Sequence, residues 1–226
     1  MADAPAPDMR QDGPAVSELT VLHTAMVHVP VFDALRDEDH PGLGLRHLVY
    51  PELLGRAQGA GPSGAAEATR TVLSEAVAEG ATAVLCTCST IGAIAEAAGA
   101  ELGIPVLRVD RPMAAAAVAH GPRVVVIAAL ESTVASSLAL LREEAAAAGR
   151  EVSPRTVLVD RAWKLFESGD TVGYHWAVAE AIEEVRDADA IVLAQASMTP
   201  ATELVPSQIP VLTSPRLGLA AAARLV

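Results

Sequence analysis

Short runs rich in Val, Ile and Leu alternate with longer alanine-rich runs along the chain, and the alternation is laid down twice. That order is the signature of βαβ units, because parallel strands can be joined only through a crossover connection, usually a helix. In the first round the strands read as Leu19–His23, Leu45–Tyr50, Ala83–Cys86 and Val106–Val109. Its helices read as Gly64–Glu79, a stretch from Thr90 through Ala98, and Met113–Ala119. The second round gives strands Arg123–Ile127, Thr156–Val159, Ala190–Leu193 and Pro210–Leu212, with helices Ser132–Ala148, Val172–Arg186 and Leu217–Leu225. Gly80 and Gly149 stand where helix stops are expected.

The two rounds share a grammar. In each, the third strand runs into small polar residues, and a proline-led short strand follows: Gly103-Ile104-Pro105-Val106-Leu107 and Ile209-Pro210-Val211-Leu212. We read this as an internal duplication. The expected fold is α/β, with two pseudo-symmetric lobes, each a short, mostly parallel sheet flanked by helices. The segments follow as a flexible tail over 1–17, a first lobe over 18–121, a second over 122–213, and a closing helix over 214–226. Parallel sheets take their ligands outside the carboxyl ends of the strands, so the active site is expected between the lobes.

Composition narrows the function classes. Half the residues are hydrophobic (51% of 226), which a disordered chain is not. Formal net charge is −12 with no local basic patch, so nucleic acid is not an expected partner. No apolar run reaches the roughly 18–20 residues of a membrane span. Met1 to Pro14 lacks the basic-then-apolar layout of a signal peptide. A cytoplasmic protein without a membrane partner is expected. Lys164 is the only lysine, and its surroundings do not resemble a pyridoxal phosphate site. No cofactor is expected.

Cys86 and Cys88 are the only cysteines. Two residues apart, they are badly placed to bridge each other, and a structural zinc site would need four ligands at other spacings. One buried and one exposed thiol is the simpler expectation. The segment Cys86-Thr87-Cys88-Ser89-Thr90 lies between a strand and a helix start. A thiol there feels the positive end of the helix, which lowers its pKa. Neighbouring hydroxyls and free N–H groups can hold a carboxylate. Cys86 reads as a buried small hydrophobe and Cys88 as the reactive centre.

Cys88-Ser89-Thr90 before a helix resembles the first cysteine motif of the aspartate/glutamate/hydantoin racemase superfamily, where Cys-Asn-Thr is usual. Val126 to Thr133 resembles the opening of that family's second lobe, a strand followed by a Thr-rich turn. Ile191 to Met198 resembles its second cysteine motif, of the form Leu-Gly-Cys-Ala-Gly-Met. The resemblance implies a two-lobed, cofactor-independent enzyme acting beside a carboxylate or carbonyl, in which two cysteines flank the substrate and exchange protons with its two faces. Here the second cysteine position holds Gln195, which is neither acid nor base. One remaining thiol suits one-sided proton transfer, as after a decarboxylation, or nucleophilic addition in an isomerase.

On that resemblance Cys88 is catalytic, and Thr87, Ser89, Thr90, Thr133, Ala196 and Ser197 supply donors to a small carboxylate or carbonyl substrate, with Gln195 orienting it. His23 and Thr24 fall near the family's substrate-contacting loop. Ser132 and Thr133 also fit a helix N-cap. His175 lies in a region holding four of the six Trp, Tyr and Phe residues (Trp163, Phe166, Tyr174 and Trp176). That cluster reads either as core or contact between copies in a homo-oligomer, which is expected, or as a pocket wall for an apolar substrate. His40 and His47 read as surface residues, and Asp33, Asp37, Glu38 and Asp39 as a solvated acidic loop. Two other classes remain open: a non-catalytic carboxylate binder on the same scaffold, and a Cys-His thiol hydrolase pairing Cys88 with His23.

Overall fold

The computed structural model describes residues 17–226; almost all of the expected tail over 1–17 therefore lies outside the described residues. The first sheet contains β1 (Glu18–His23), β2 (Gly44–Val49), β3 (Val84–Cys86) and β4 (Val106–Arg108). The second contains β5 (Val124–Ala128), β6 (Arg155–Leu158), β7 (Ala190–Leu193) and β8 (Val211–Leu212). All pairs are parallel, and the strand orders are β2-β1-β3-β4 and β6-β5-β7-β8. The same order in the same sequence sense is the duplication in three dimensions. Central strands β1, β3, β5 and β7 are buried nearly throughout because helices cover both faces, and β3, β5 and β7 are apolar along their length.

The helices are α1 (His28–Asp39), α2 (Pro51–Ala60), α3 (Ala66–Ala78), α4 (Gly92–Leu102), α5 (Arg111–His120), α6 (Glu131–Ala147), α7 (Asp160–Glu167), α8 (Thr171–Glu183) and α9 (Ser214–Ala222). Three were not expected. The acidic stretch over 33–39 is not a loop but the body of α1, anchored by buried Phe32. α2 starts with Pro51 in its first turn, where a missing N–H costs nothing, and buries Leu53 and Ala57. α7 is two turns long and fully buries only Ala162. α4 ends at Gly103, whose φ of 74° is the left-handed conformation that closes a helix.

The boundary expected at 121–122 does not divide the packing. α5 belongs in sequence to the first round, yet Met113, Ala114, Ala117 and Val118 pack with Val124, Val126, Leu140 and Val192 of the second lobe. α9 closes the second round, yet Leu219 and Ala222 pack with Leu19, Val21, Phe32 and Leu85 of the first. Each lobe is thus covered by the other's last helix. Gly218 makes this possible on one side: a Cβ there would lie 2.6 Å from the Val109 carbonyl oxygen and 3.0 Å from its Cα. No described helix is long and apolar enough to cross a membrane.

Candidate active site

The carboxyl ends of the two sheets face a common cleft. Its lining comes from the β1–α1 turn (Thr24, Ala25, His28), α2 (Leu54), the β3–α4 turn (Thr87, Cys88, Ser89, Thr90), the β5–α6 turn (Leu130, Thr133), α7 (Trp163, Phe166) and the residues after β7 (Gln195, Ala196, Ser197). With the lobes as they stand, the cavity is narrow, about 50 Å³ for water-sized occupants. That is room for a few waters or a carboxylate-sized group. Cys88 and Gln195, far apart in sequence, line this one cavity.

Strand β3 ends at Cys86, so Cys88 sits in the turn, and both thiols are buried. One buried and one exposed thiol was expected; the difference is that the second lobe roofs over Cys88. The Thr24 hydroxyl and the N–H groups of Ile91 and Thr90 at the helix start favour the Cys88 thiolate. Yet burial is the larger effect and raises the thiol above its ordinary pKa, with the Thr24, Ile91 and Thr90 donors opposing it. A lowered pKa was expected, and burial reverses the sign: removal from water outweighs the three donors. Cys86 Sγ donates to the Cys88 carbonyl at 3.7 Å and is likewise raised by burial.

The turn carrying Cys88 is fixed across the lobes. Ser89 Oγ donates to the Ala194 carbonyl at 2.9 Å, and the Thr90 and Thr133 hydroxyls lie 3.3 Å apart. The Ser89 carbonyl accepts from Ser136 Oγ at 2.6 Å and from Arg108 Nη2 at 3.2 Å. Arg108 is fully buried at the end of β4 and forks onto Asp110 through Nε and Nη2, at 2.7 and 2.9 Å. Gly92 leaves space for it; a Cβ at 92 would lie 2.8 Å from the Arg108 Cβ. Neither Arg108 nor Asp110 was anticipated. Sequence holds no local signal for them, since their partners arrive from α6 and from the turn after β3.

Gln195 has a defined orientation. The Ala129 N–H donates to its Oε1 at 2.7 Å, which leaves the amide nitrogen as the donor available to the cleft. Ala196 and Ser197 line the cavity as expected, and Ser197 Oγ is 2.7 Å from the buried Tyr174 hydroxyl. Burial pushes that phenol up to about 12. Thr133 lines the cavity, but neither it nor Ser132 caps α6: the N-cap is Leu130, without a side-chain bond. Ser132 does not line the cavity.

Two expected contacts move outward. His175 is absent from the cavity wall and its Nε2 lies 3.1 Å from the Ser197 carbonyl oxygen, so it supports the Ser197 segment. His23 is fully buried behind the wall, with Nδ1 on Thr87 Oγ1 (2.9 Å) and Nε2 on His47 Nδ1 (2.8 Å). Both nitrogens are engaged, so it contacts neither substrate nor Cys88, and nothing remains of the Cys-His hydrolase pairing. Burial, then the proximity of His47 and His28, lowers His23 to about 3. His47 is no free surface residue but part of this chain. The aromatic region resolves into three roles: Trp163 and Phe166 wall the cavity, Tyr174 is core, and Trp176 is exposed.

Two parallel half-sheets meeting at a thiol-bearing cleft define a two-lobed racemase-type α/β protein. The chain belongs to the Asp/Glu/Hydantoin racemase family, whose model matches residues 28–222. Among solved structures it is similar to glutamate racemase from Thermus thermophilus, at 19% identity and TM-score 0.65, covering 92% of this chain and 80% of that one. Aspartate racemase from Picrophilus torridus is similar at 16% identity and TM-score 0.65, covering 92% and 93%. A mutant of arylmalonate decarboxylase is similar at 19% identity and TM-score 0.58, covering 92% of each chain. A search of curated protein sequences finds no match.

Proposed function

We propose that the chain is a cofactor-independent isomerase or decarboxylase that works beside a carboxylate with one catalytic cysteine, Cys88, delivering or removing a proton on a single face. The observation that supports this most is the composition of the cleft. Cys88 and Gln195 line the same cavity, Gln195 is pinned as a hydrogen-bond donor, and no second thiol lines it. A donor amide can hold a carboxylate or an enolate oxygen but carries no exchangeable acid. The resting Cys88 is a thiol, the form that gives up a proton to a carbanion left by decarboxylation. His28 is the remaining titratable group in the wall, and burial lowers it to about 4, so it is neutral at pH 7.

The wall also bears on substrate. Among the described residues it contains no Asp, Glu, Arg or Lys, and its apolar part is Leu54, Leu130, Trp163 and Phe166. An α-ammonium group would lose its hydration there and find no carboxylate partner. The cleft therefore favours an acid with an apolar or aryl substituent over aspartate or glutamate. The test is a panel of aryl- and alkyl-substituted malonates and chiral 2-aryl acids incubated in deuterium oxide and followed by NMR, with Cys88→Ala as control. Label entering one enantiomer only, and lost in the variant, supports the reading. Fast exchange of both enantiomers, or exchange unaffected by Cys88→Ala, refutes it.

A further inference from the structure

The cleft binds an anion, on the reading above, yet among the described residues its lining holds no Arg or Lys. Behind Thr87 a single-file chain of hydrogen-bonding groups leads away from the cavity. Thr87 Oγ1 lies 2.9 Å from His23 Nδ1, His23 Nε2 lies 2.8 Å from His47 Nδ1, and His47 Nε2 lies 3.3 Å from Asp33 Oδ1. Strand register creates it. β1 and β2 pair Val21 with His47 and His23 with Val49, so both imidazoles project from the same sheet face, the one α1 covers.

Donor counting allows two arrangements. A carboxylate only accepts, so His47 Nε2 carries a hydrogen toward Asp33. If His47 is neutral, its Nδ1 is bare and must accept from His23 Nε2–H. His23 Nδ1 is then bare and accepts the one hydrogen of the Thr87 hydroxyl. Adding a proton reverses the order. His47 then donates from both nitrogens, His23 donates from Nδ1 to Thr87 Oγ1, and the Thr87 hydrogen is released. It can turn to the Leu22 carbonyl, 3.2 Å away, or to an anion in the cleft.

We infer that a carboxylate entering the cleft draws one proton onto His47, which frees the Thr87 hydroxyl as a donor and supplies the positive charge that the cavity wall lacks. His47 and Asp33 are thereby positioning residues, acting on the ligand through His23 and Thr87. The inference rests on the carboxylate reading of the cleft. His23 and His28 do not compete for the proton, since burial lowers them to about 3 and 4. The other charges near the chain are on α1 and β2. Arg36 holds Asp33 at 3.4 Å and Asp37 at 2.6 Å, and Arg46, next to His47, projects from the opposite face onto Glu79 of α3 and toward Glu18 of β1. Asp33 is thus the acidic group within bonding reach of His47. Burial raises the Cys88 thiol, so Cys88 adds no negative charge to the cavity wall.

The experiment is calorimetry with phenylacetate as probe at pH 8, in phosphate and in Tris, whose ionisation enthalpies differ widely. Uptake close to one proton per ligand bound is expected. Affinity should weaken as pH rises, because a state that binds a proton is then lost. His47→Gln should bind more weakly, with no buffer dependence and a flat pH profile; a merely structural role would weaken binding and leave the slope unchanged. Nitrogen NMR of labelled histidine on the unaltered protein, which needs no variant, should show both His47 nitrogens protonated only with ligand. Binding with no proton uptake overturns this inference and leaves the proposed function standing. Absence of binding by phenylacetate and by alkyl carboxylates overturns both.

Discussion

Arg108 and Asp110 offer the sharpest test of how the site is held together. Both side chains are 1% exposed, and the guanidinium meets Asp110, Ser136 Oγ and the Ser89 carbonyl. Burial disfavours its charge, but the bonds to Asp110 outweigh that and keep it protonated. Asp110→Ala removes the only carboxylate it bonds and leaves a buried cation. Breaking such a pair costs about 3–5 kcal/mol, most of it from the uncompensated charge. For a chain of this size each kcal/mol lowers Tm by about 2–4 °C, so Tm should fall by about 6–20 °C. The double variant Arg108→Met with Asp110→Ala removes both charges and should recover at least half of the loss, since Met fills much of the vacated volume. Urea denaturation with parallel calorimetry measures both. Alkylation of Cys88 is a separate readout: the double variant should label faster than the unaltered protein, because the Ser89 carbonyl keeps only Ser136. A single variant within 1 kcal/mol of the parent, or a double variant no more stable than the single, would refute the argument.

Three further outcomes are expected. Iodoacetamide should label Cys88 slowly at pH 7 and faster in alkaline solution, because burial raises its thiol, and Cys86, fully enclosed, should label more slowly still; mass spectrometry of time points resolves the two. Acid should destabilise the fold between about pH 6.5 and 3. Neutral His23 and His28 have folded pKa values below the unfolded 6.5, so their contribution is present above that pH and lost as pH falls toward 4 and 3; the stability curve across that window should be less steep in His28→Gln, with the His23 contribution remaining. Gly218→Ala should cost about 1–3 kcal/mol by pressing a methyl into the Val109 backbone, which a denaturant midpoint will show.

Much of this was legible in the residues. Central strands declared themselves because both faces are buried, so Val124–Ala128 and Ala190–Leu193 read as unbroken apolar runs. The duplicated order of runs gave the two sheets, and the turn after β3 gave Cys88. What escaped has a common physical cause. α1 and α2 touch the core with one or two fully buried side chains each, too few for an apolar stripe to stand out; α7 does carry a stripe, Ala162, Trp163, Leu165 and Phe166, but over only eight residues. Arg108, Asp110 and His47 take their meaning from partners on other elements. The sign of the Cys88 shift depended on burial, which a local segment does not reveal; its Thr and Ser neighbours showed the donors only.

The exchange of α5 and α9 has a mechanical consequence. Two chain crossings, one near Val109 and one near Thr213, tie the halves together, and each crossing ends in a helix embedded in the opposite core. Cutting the chain at Gly121 would yield a front piece lacking the cover for Leu19 and Val21, and a back piece lacking the cover for Val124 and Val126. Neither fragment would be a self-sufficient body. Any motion that opens the cleft has to pass through those two crossings, since each carries the chain from one core into the other.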